Sequence, residues 1–196
     1  MYNILIAGVG GQGTLLASRI LGHIYTAGGL DVKVSEVHGM SQRGGSVVTY
    51  VRAGESIASP LITPGEADLL IAFEELEGLR WLHYLKKSGK CVINTQRIAP
   101  MPVITGAAAY PEGTEARVLD EFPDAVVFNA LPSAEAAGSA KAVNIVMLGA
   151  ASGFIGFGDA DWDRALRACV PEKFIDMNIM AFDAGKRTAE EQYIRG

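Results

Sequence analysis

The sequence predicts a three-layer α/β/α domain built around a mainly parallel sheet. Three observations carry the prediction: strand-length apolar runs alternate with helically spaced segments, several of those runs are apolar on both faces, and the first ends in a glycine-rich turn. With 196 residues, 49% of them hydrophobic, the chain can bury a core of its own, and its length suits a single domain covering residues 1–196.

Residues 2–7 are an apolar run that stops at Gly8, and residues 14–26 place Leu15, Leu16, Ile20, Leu21 and Ile24 at helical spacing. Gly28 and Gly29 end that helix, and residues 32–37 make a second strand, so the unit reads as strand, helix, strand with the two strands as parallel neighbours. A polar, glycine-rich loop from His38 to Gly45 leads into a β-branched and aromatic strand over residues 46–52, whose direction is open. After Pro60, Pro64 and Gly65 comes a strand apolar on both faces at residues 69–73, then a helix over residues 74–87. A turn at Ser88 and Gly89 precedes a strand at residues 91–94. Three prolines among residues 99–111 predict short edge strands or an excursion. Beyond it the pattern gives a helix at 114–122, a strand at 125–128, and helices over 133–151 in two pieces, over 162–169 behind the N-cap candidate Asp161, and over 171–193.

Composition removes several classes of function. Seventeen Lys and Arg against 22 Asp and Glu leave a net charge of −5 and no basic run that could track phosphodiesters, so nucleic acid is not an expected partner. The longest apolar stretch, residues 145–158, is shorter than the ~20 residues of a membrane span and is interrupted by glycine and serine; it reads as a buried helix that loosens at its end. Cys91 and Cys169 lie far apart, whereas structural zinc and iron–sulfur sites take about four ligands, so no metal or cluster is expected on this chain. With no disulfide framework and no signal peptide, a reducing cytoplasm is the expected setting. His23, His38 and His83 show no metal-ligand spacing, and no serine or cysteine stands in a nucleophile motif, so no catalytic residue is assigned. Glu74, Glu75 and Glu77 open a helix and read as acids favoured by its macrodipole. Asn94 and Asn129 end strands at the presumed ligand edge but are also ordinary turn residues.

The candidate binding residues lie in two loops. Gly8-Val9-Gly10-Gly11-Gln12-Gly13 has the spacing of a Rossmann-like dinucleotide turn in its required context, where glycines permit positive φ and leave helix amides open to an anion. Glu36, 23 residues after Gly13, stands where such folds place a ribose-binding acid, so NAD(P) is one candidate ligand; the alternative is a tight turn that only packs helix on sheet. In the second loop Arg43, Gly44, Gly45 and Ser46 could cradle an oxyanion, or Arg43 could be a surface residue over a hairpin turn.

Taken together, the first turn and the run from Ser35 through His38, Gly39, Met40, Ser41, Gln42, Arg43, Gly44 and Gly45 to Val47 resemble the gamma-type domain of 2-oxoacid:ferredoxin oxidoreductases. The resemblance is closest to the small subunits that serve indolepyruvate. It continues through residues 144–150 and Asn178, Ala181, Phe182 and Gly185, so it covers nearly the whole chain. It implies an accessory subunit, inactive alone, beside a larger catalytic subunit that carries thiamine diphosphate and iron–sulfur clusters. It also implies that electrons pass to ferredoxin and the acyl group to coenzyme A. On this chain Gly8, Gly10, Gly11, Gln12, Gly13, Arg43, Gly44, Gly45 and Ser46 are the expected cofactor-binding residues, as part of an anionic crevice facing the catalytic subunit that positions coenzyme A or the substrate carboxylate; the alternative is a structural loop that locks the subunit interface. The rival reading is a stand-alone NAD(P)-dependent enzyme using the first turn and Glu36.

Overall fold

A computed structural model of the chain describes residues 1–39 and 45–195. Among the described residues six strands form one sheet: β1 (Tyr2–Val9), β2 (Asp31–His38), β3 (Ser46–Gly54), β4 (Ala67–Ala72), β5 (Leu85–Asn94) and β6 (Val126–Phe128), in the order β2-β3-β1-β4-β5-β6. β1, β4, β5 and β6 are parallel, while β3 runs antiparallel to both of its neighbours. The α/β class and mainly parallel sheet expected from the sequence are therefore present.

The expected pairing of β1 with β2 is not. The two strands run the same way, but β3 lies between them and pairs with eight residues of each. Burial explains the order. β3 is buried along nearly its whole length and takes a central place, whereas β2 carries Asp31, Lys33, Glu36 and His38 and is half-exposed along the edge.

Two helical layers cover the sheet. One face, through Ile4 and Ile6, meets α1 (Thr14–Ala27), α5 (Leu131–Ala137), α6 (Val143–Ala151), α7 (Asp159–Cys169) and α8 (Ile175–Arg195). The other, through Leu5 and Ala7, meets α2 (Glu75–Trp81) and α4 (Thr114–Glu121). Because α1 leaves β1 toward one face and α2 leaves β4 toward the other, the carboxyl ends of β1 and β4 flank a topological switch point, the usual place for a ligand crevice.

Three other expectations change, and a fourth is decided between its two alternatives. The helix expected over residues 74–87 stops at Trp81; a 3-10 turn at Leu82–Tyr84 follows, and Leu85 already belongs to β5 because its side chain is drawn into the core. Ser88 and Gly89 are then a bulge within that strand, with Ala67 opposite Leu85 and Leu69 opposite Lys90. Residues 99–111 form no strand, only the single turn α3 (Met101–Ile104) within an excursion. Asp161 is not the N-cap of α7: Gly158 occupies that position, and the Asp161 carboxylate reaches back to accept the Gly158 N–H at 3.1 Å. The buried helix expected to loosen does so, α6 passing into a 3-10 turn at Ser152–Phe154.

α6 is buried on every side and crosses α8 backbone to backbone. A Cβ on Gly149 would sit 2.0 Å from the Phe182 carbonyl oxygen, and one on Gly185 would sit 1.8 Å from that of Val146. Neither neighbour is a side chain that can rotate away. Gly185→Ala should therefore force the two helices apart and destabilise the chain by roughly 2–4 kcal/mol, measured by urea denaturation; an unchanged midpoint would show that the crossing tolerates a side chain.

Candidate functional site

The first turn is built from its own amides. Gln12 N–H donates to the Val9 carbonyl at 3.2 Å, and the Gln12 side-chain oxygen accepts the Val9 N–H at 2.7 Å. The side-chain nitrogen donates to the Phe73 carbonyl at 2.9 Å, which ties the turn to the end of β4. Gly11 and Gly13 hold φ of 93° and 82°, values that favour glycine. Gly8 lies behind the turn, where a Cβ would fall 2.9 Å from the Gln12 side-chain oxygen. Of the residues expected to contact a ligand, Gly10 and Gly11 are exposed, although the Gly10 N–H is given to the Gly45 carbonyl; the Gly13 carbonyl is taken by the Ala17 N–H, and the Gln12 side-chain amide is bonded at both ends.

Gly13 is also the N-cap of α1. No side chain caps that helix and no acid stands in its first turn, so its amides and the positive end of its dipole face the turn. Asn144, in the first turn of α6, donates from Nδ2 to the Gly13 carbonyl at 3.2 Å. This gives a place to the Asn144 segment that the sequence singled out: it brings a second helix N-terminus against the turn, with no acid in its first turn and with the Ile145 N–H taken by Asn144 Oδ1 at 3.0 Å.

The second loop contributes its stem. Gly45 accepts the Gly10 N–H at 3.2 Å, and Gly39 N–H donates to the Ser46 carbonyl at 2.8 Å. Arg43 and Gly44 lie outside the described residues. The Ser46 hydroxyl donates to Glu77, on the α2 side of the sheet, and Ser46 lines neither of the clefts beside the turn.

Those clefts differ in charge. The first, of about 520 Å³, is walled by Gly10, Leu15, Gly45 and the side chains of Glu36 and His38. Glu36 Oε2 accepts the hydroxyls of Thr14 and Thr49, each at 2.9 Å, and Oε1 faces His38 Nε2 at 2.8 Å. The second, of about 500 Å³, is lined by Gly11, Gln12, Gly13, Gln96, Lys141 and Val143, with no carboxylate among its described lining residues. Gln96 and Lys141 were not anticipated. The available signal for Lys141 is that it is the only charge between Glu135 and Asp159.

The three glutamates at the start of α2 are far more buried than helix-end acids need be. Glu74, Glu75 and Glu77 are 1%, 4% and 2% exposed. Glu74 caps α2 by accepting the Glu77 N–H at 2.8 Å, and it also accepts the Ile98 N–H at 3.0 Å and the Tyr110 hydroxyl at 2.6 Å. Glu75 pairs with Arg97 at 2.5 Å and accepts the Thr114 hydroxyl; Glu77 pairs with Arg80 at 2.6 Å. Their partners assign them to holding loops in place.

The thiols do not suit a cluster. Cys91 is in the core, where burial and then the Glu121 charge push it up to about 12, and burial also raises Cys169. An iron–sulfur centre needs about four accessible thiolates. Among the described residues no three His, Cys, Asp or Glu side chains gather in a metal-binding group, and no helix is long and apolar enough to cross a membrane.

An α/β sheet with a glycine turn at its switch point is a general binding scaffold, and comparison with known proteins narrows it. Residues 3–188 match the model of the pyruvate ferredoxin/flavodoxin oxidoreductase family, and the chain belongs to that family. It is 42% identical over 195 residues to the indolepyruvate oxidoreductase subunit IorB of Thermococcus kodakarensis, covering 97% of this chain and 96% of that protein. Among solved structures, the gamma subunit of a keto/oxoacid ferredoxin oxidoreductase from Geobacter sulfurreducens superposes with a TM-score of 0.71 at 23% identity, over 97% of this chain and 99% of that one. The 2-oxoglutarate:ferredoxin oxidoreductase of Magnetococcus marinus, solved with 2-oxoglutarate, coenzyme A and succinyl-CoA bound, has the same fold with a TM-score of 0.69 at 21% identity; the match covers 97% of this chain and 31% of that chain.

At the centre of the turn, a Cβ on Gly13 would lie 2.4 Å from Asn144 Nδ2 in addition to requiring a left-handed backbone. Gly13→Ala should destabilise the chain by about 2–3 kcal/mol. Adding Asn144→Ala should give a combined loss smaller than the sum of the two single losses, because it removes the contact but not the backbone cost; a strictly additive double-mutant cycle in denaturant would contradict this geometry.

Proposed function

We propose that this chain is the accessory subunit of a 2-oxoacid:ferredoxin oxidoreductase, with indolepyruvate and related aryl pyruvates as substrates. It forms a single gamma-type domain that holds none of the redox cofactors and works in the cytoplasm beside a larger catalytic subunit. In the reaction a 2-oxoacid and coenzyme A give the acyl thioester and carbon dioxide, with two electrons passing to ferredoxin and one proton released. Thiamine diphosphate and iron–sulfur clusters on the larger subunit supply the carbanion chemistry and the electron path. The residues of this chain bind and orient.

The observation that carries the reading is the second cleft. The glycine turn, the first residue of α6, Val143, and Lys141 meet there with no carboxylate among the described lining residues, an arrangement suited to a phosphate of coenzyme A. The first cleft, with Glu36 in its wall, repels such a group. In the NAD(P) reading Glu36 would bind a ribose diol, but its two oxygens already face Thr14, Thr49 and His38, so using it for ribose means breaking that network. The pattern of a small chain with a half-built crevice also supports completion of the site by a partner.

In the assembled enzyme, Lys141→Ala should raise the KM for coenzyme A roughly tenfold, the loss expected of one charge-assisted contact, with kcat little changed. Arg43→Ala should act in the same direction. Unchanged KM values for both variants would remove the crevice assignment. Titration of the isolated chain with NAD(H) and NADP(H) should show no stoichiometric binding; tight binding would favour the stand-alone enzyme instead.

A further inference from the structure

Asn94 is the last residue of β5, at the carboxyl edge of the sheet, and it is completely buried. Its Nδ2 donates to the Phe73 carbonyl at 3.0 Å, the same oxygen that takes the Gln12 side-chain nitrogen, and its Oδ1 accepts the Ala130 N–H at 3.1 Å. A backbone carbonyl can only accept and a backbone N–H can only donate. These two neighbours therefore fix which end of the Asn94 carboxamide is nitrogen.

The same logic passes on to Gln96. Asn94 Nδ2 also reaches Gln96 Oε1, and Asn94 Oδ1 also accepts the Gln96 N–H, each at 3.4 Å, while the Gln96 carbonyl takes the Glu75 N–H at 3.0 Å. The oxygen of the Gln96 side chain is thus turned to Asn94 and its nitrogen away. Among the described residues nothing accepts from that nitrogen, and Gln96 lines the Lys141 cleft.

Lys141 can likewise only donate, and Gln12, the other polar side chain in the wall, is spent on holding the turn. The cleft therefore offers a ligand two side-chain donors of different kinds, the ammonium of the exposed Lys141 and the amide of the half-buried Gln96. An anion suits the first. At the second, a further anion would lose hydration with only a neutral dipole in return, whereas a neutral carbonyl gains a hydrogen bond at little cost.

We propose that Gln96, aimed by Asn94, takes an amide carbonyl of the pantetheine arm of coenzyme A, an assignment that rests on the function proposed above and deepens it. Coenzyme A joins phosphates at one end to an arm of amides that finishes in the thiol. With a phosphate at Lys141, the arm extends toward Gln96 and carries the thiol away from the exposed end of the cleft. Asn94 is the positioning residue of this arrangement, because it sets the direction of the Gln96 amide.

The test uses the assembled enzyme and measures the KM for coenzyme A beside the inhibition constant of adenosine 3′,5′-bisphosphate, which keeps the phosphorylated nucleotide and lacks the arm. Gln96→Met, which removes the amide at nearly the same length, should raise the KM roughly fivefold and leave the inhibition constant unchanged. Lys141→Ala should raise both. A merely structural Gln96 would move the two constants together or move neither, and either result would overturn the arm assignment while the Lys141 effect left the proposed function standing. Should Gln96→Met fail to assemble, Gln96→Glu, which keeps the shape and sets a carboxylate beside the ligand, should raise the KM by roughly tenfold or more; an unchanged KM would overturn the assignment. If Lys141→Ala moved neither constant, or the bisphosphate did not compete with coenzyme A in the wild type, the phosphate site would fall and the arm assignment with it.

Discussion

The Gln12 side chain bonds at both ends, its oxygen to the Val9 N–H and its nitrogen to the Phe73 carbonyl, and the carboxyl edge of the sheet is organised around that bridge. It closes the turn after β1 and fastens it to the end of β4, at the point where the following helices diverge to opposite faces. With the turn immobilised by a side chain from within, Gly10 and Gly11 can lie exposed without side chains of their own. A longer side chain at Gly8 or Gly13 would collide with Gln12 or Asn144, so the bare backbone and its supports are parts of one arrangement.

Carboxylates bind the surroundings to this centre from both layers. On the α1 side Glu36 joins Thr14 in the first turn of the helix to Thr49 and His38 in the hairpin strands. On the α2 side Glu77 holds Ser46, the residue after Gly45, whose carbonyl takes the Gly10 N–H. The site is thus clamped between two polar networks, each saturated by local donors. That saturation is why neither network contributes an open anion-binding group, and why the Lys141 side differs so sharply from the Glu36 side.

Much of this was readable in the residues. Apolar runs located the strands, and glycine spacing located the turn, because both depend on local conformation and burial. Strand neighbours were less accessible. Periodicity reports that residues 47–51 are buried, not which strands flank them, although the charges of β2 against the mostly apolar stretch of β3 over those residues do carry the distinction between edge and centre. Lys141 escaped notice because its position depends on Asn144 meeting Gly13 across 131 residues. Glu74, Glu75 and Glu77 looked like ordinary helix-end acids since nothing in their own segment announces Arg97, Tyr110 or Thr114 as partners. Ser46 follows the two glycines in sequence, yet strand alternation turns its hydroxyl to the opposite layer.

The insertion of β3 also orders the steps by which the chain folds. β2 and β3 are separated by only seven residues, so their hairpin closes with little loss of chain entropy. Pairing of β1 with β4 brings together residues about sixty-five apart, such as Ile4 and Leu69, and belongs to a slower, non-local stage. The hairpin is thus the pairing that chain connectivity makes least costly, and its inner strand is the one that meets β1 and, through Gly45, holds Gly10.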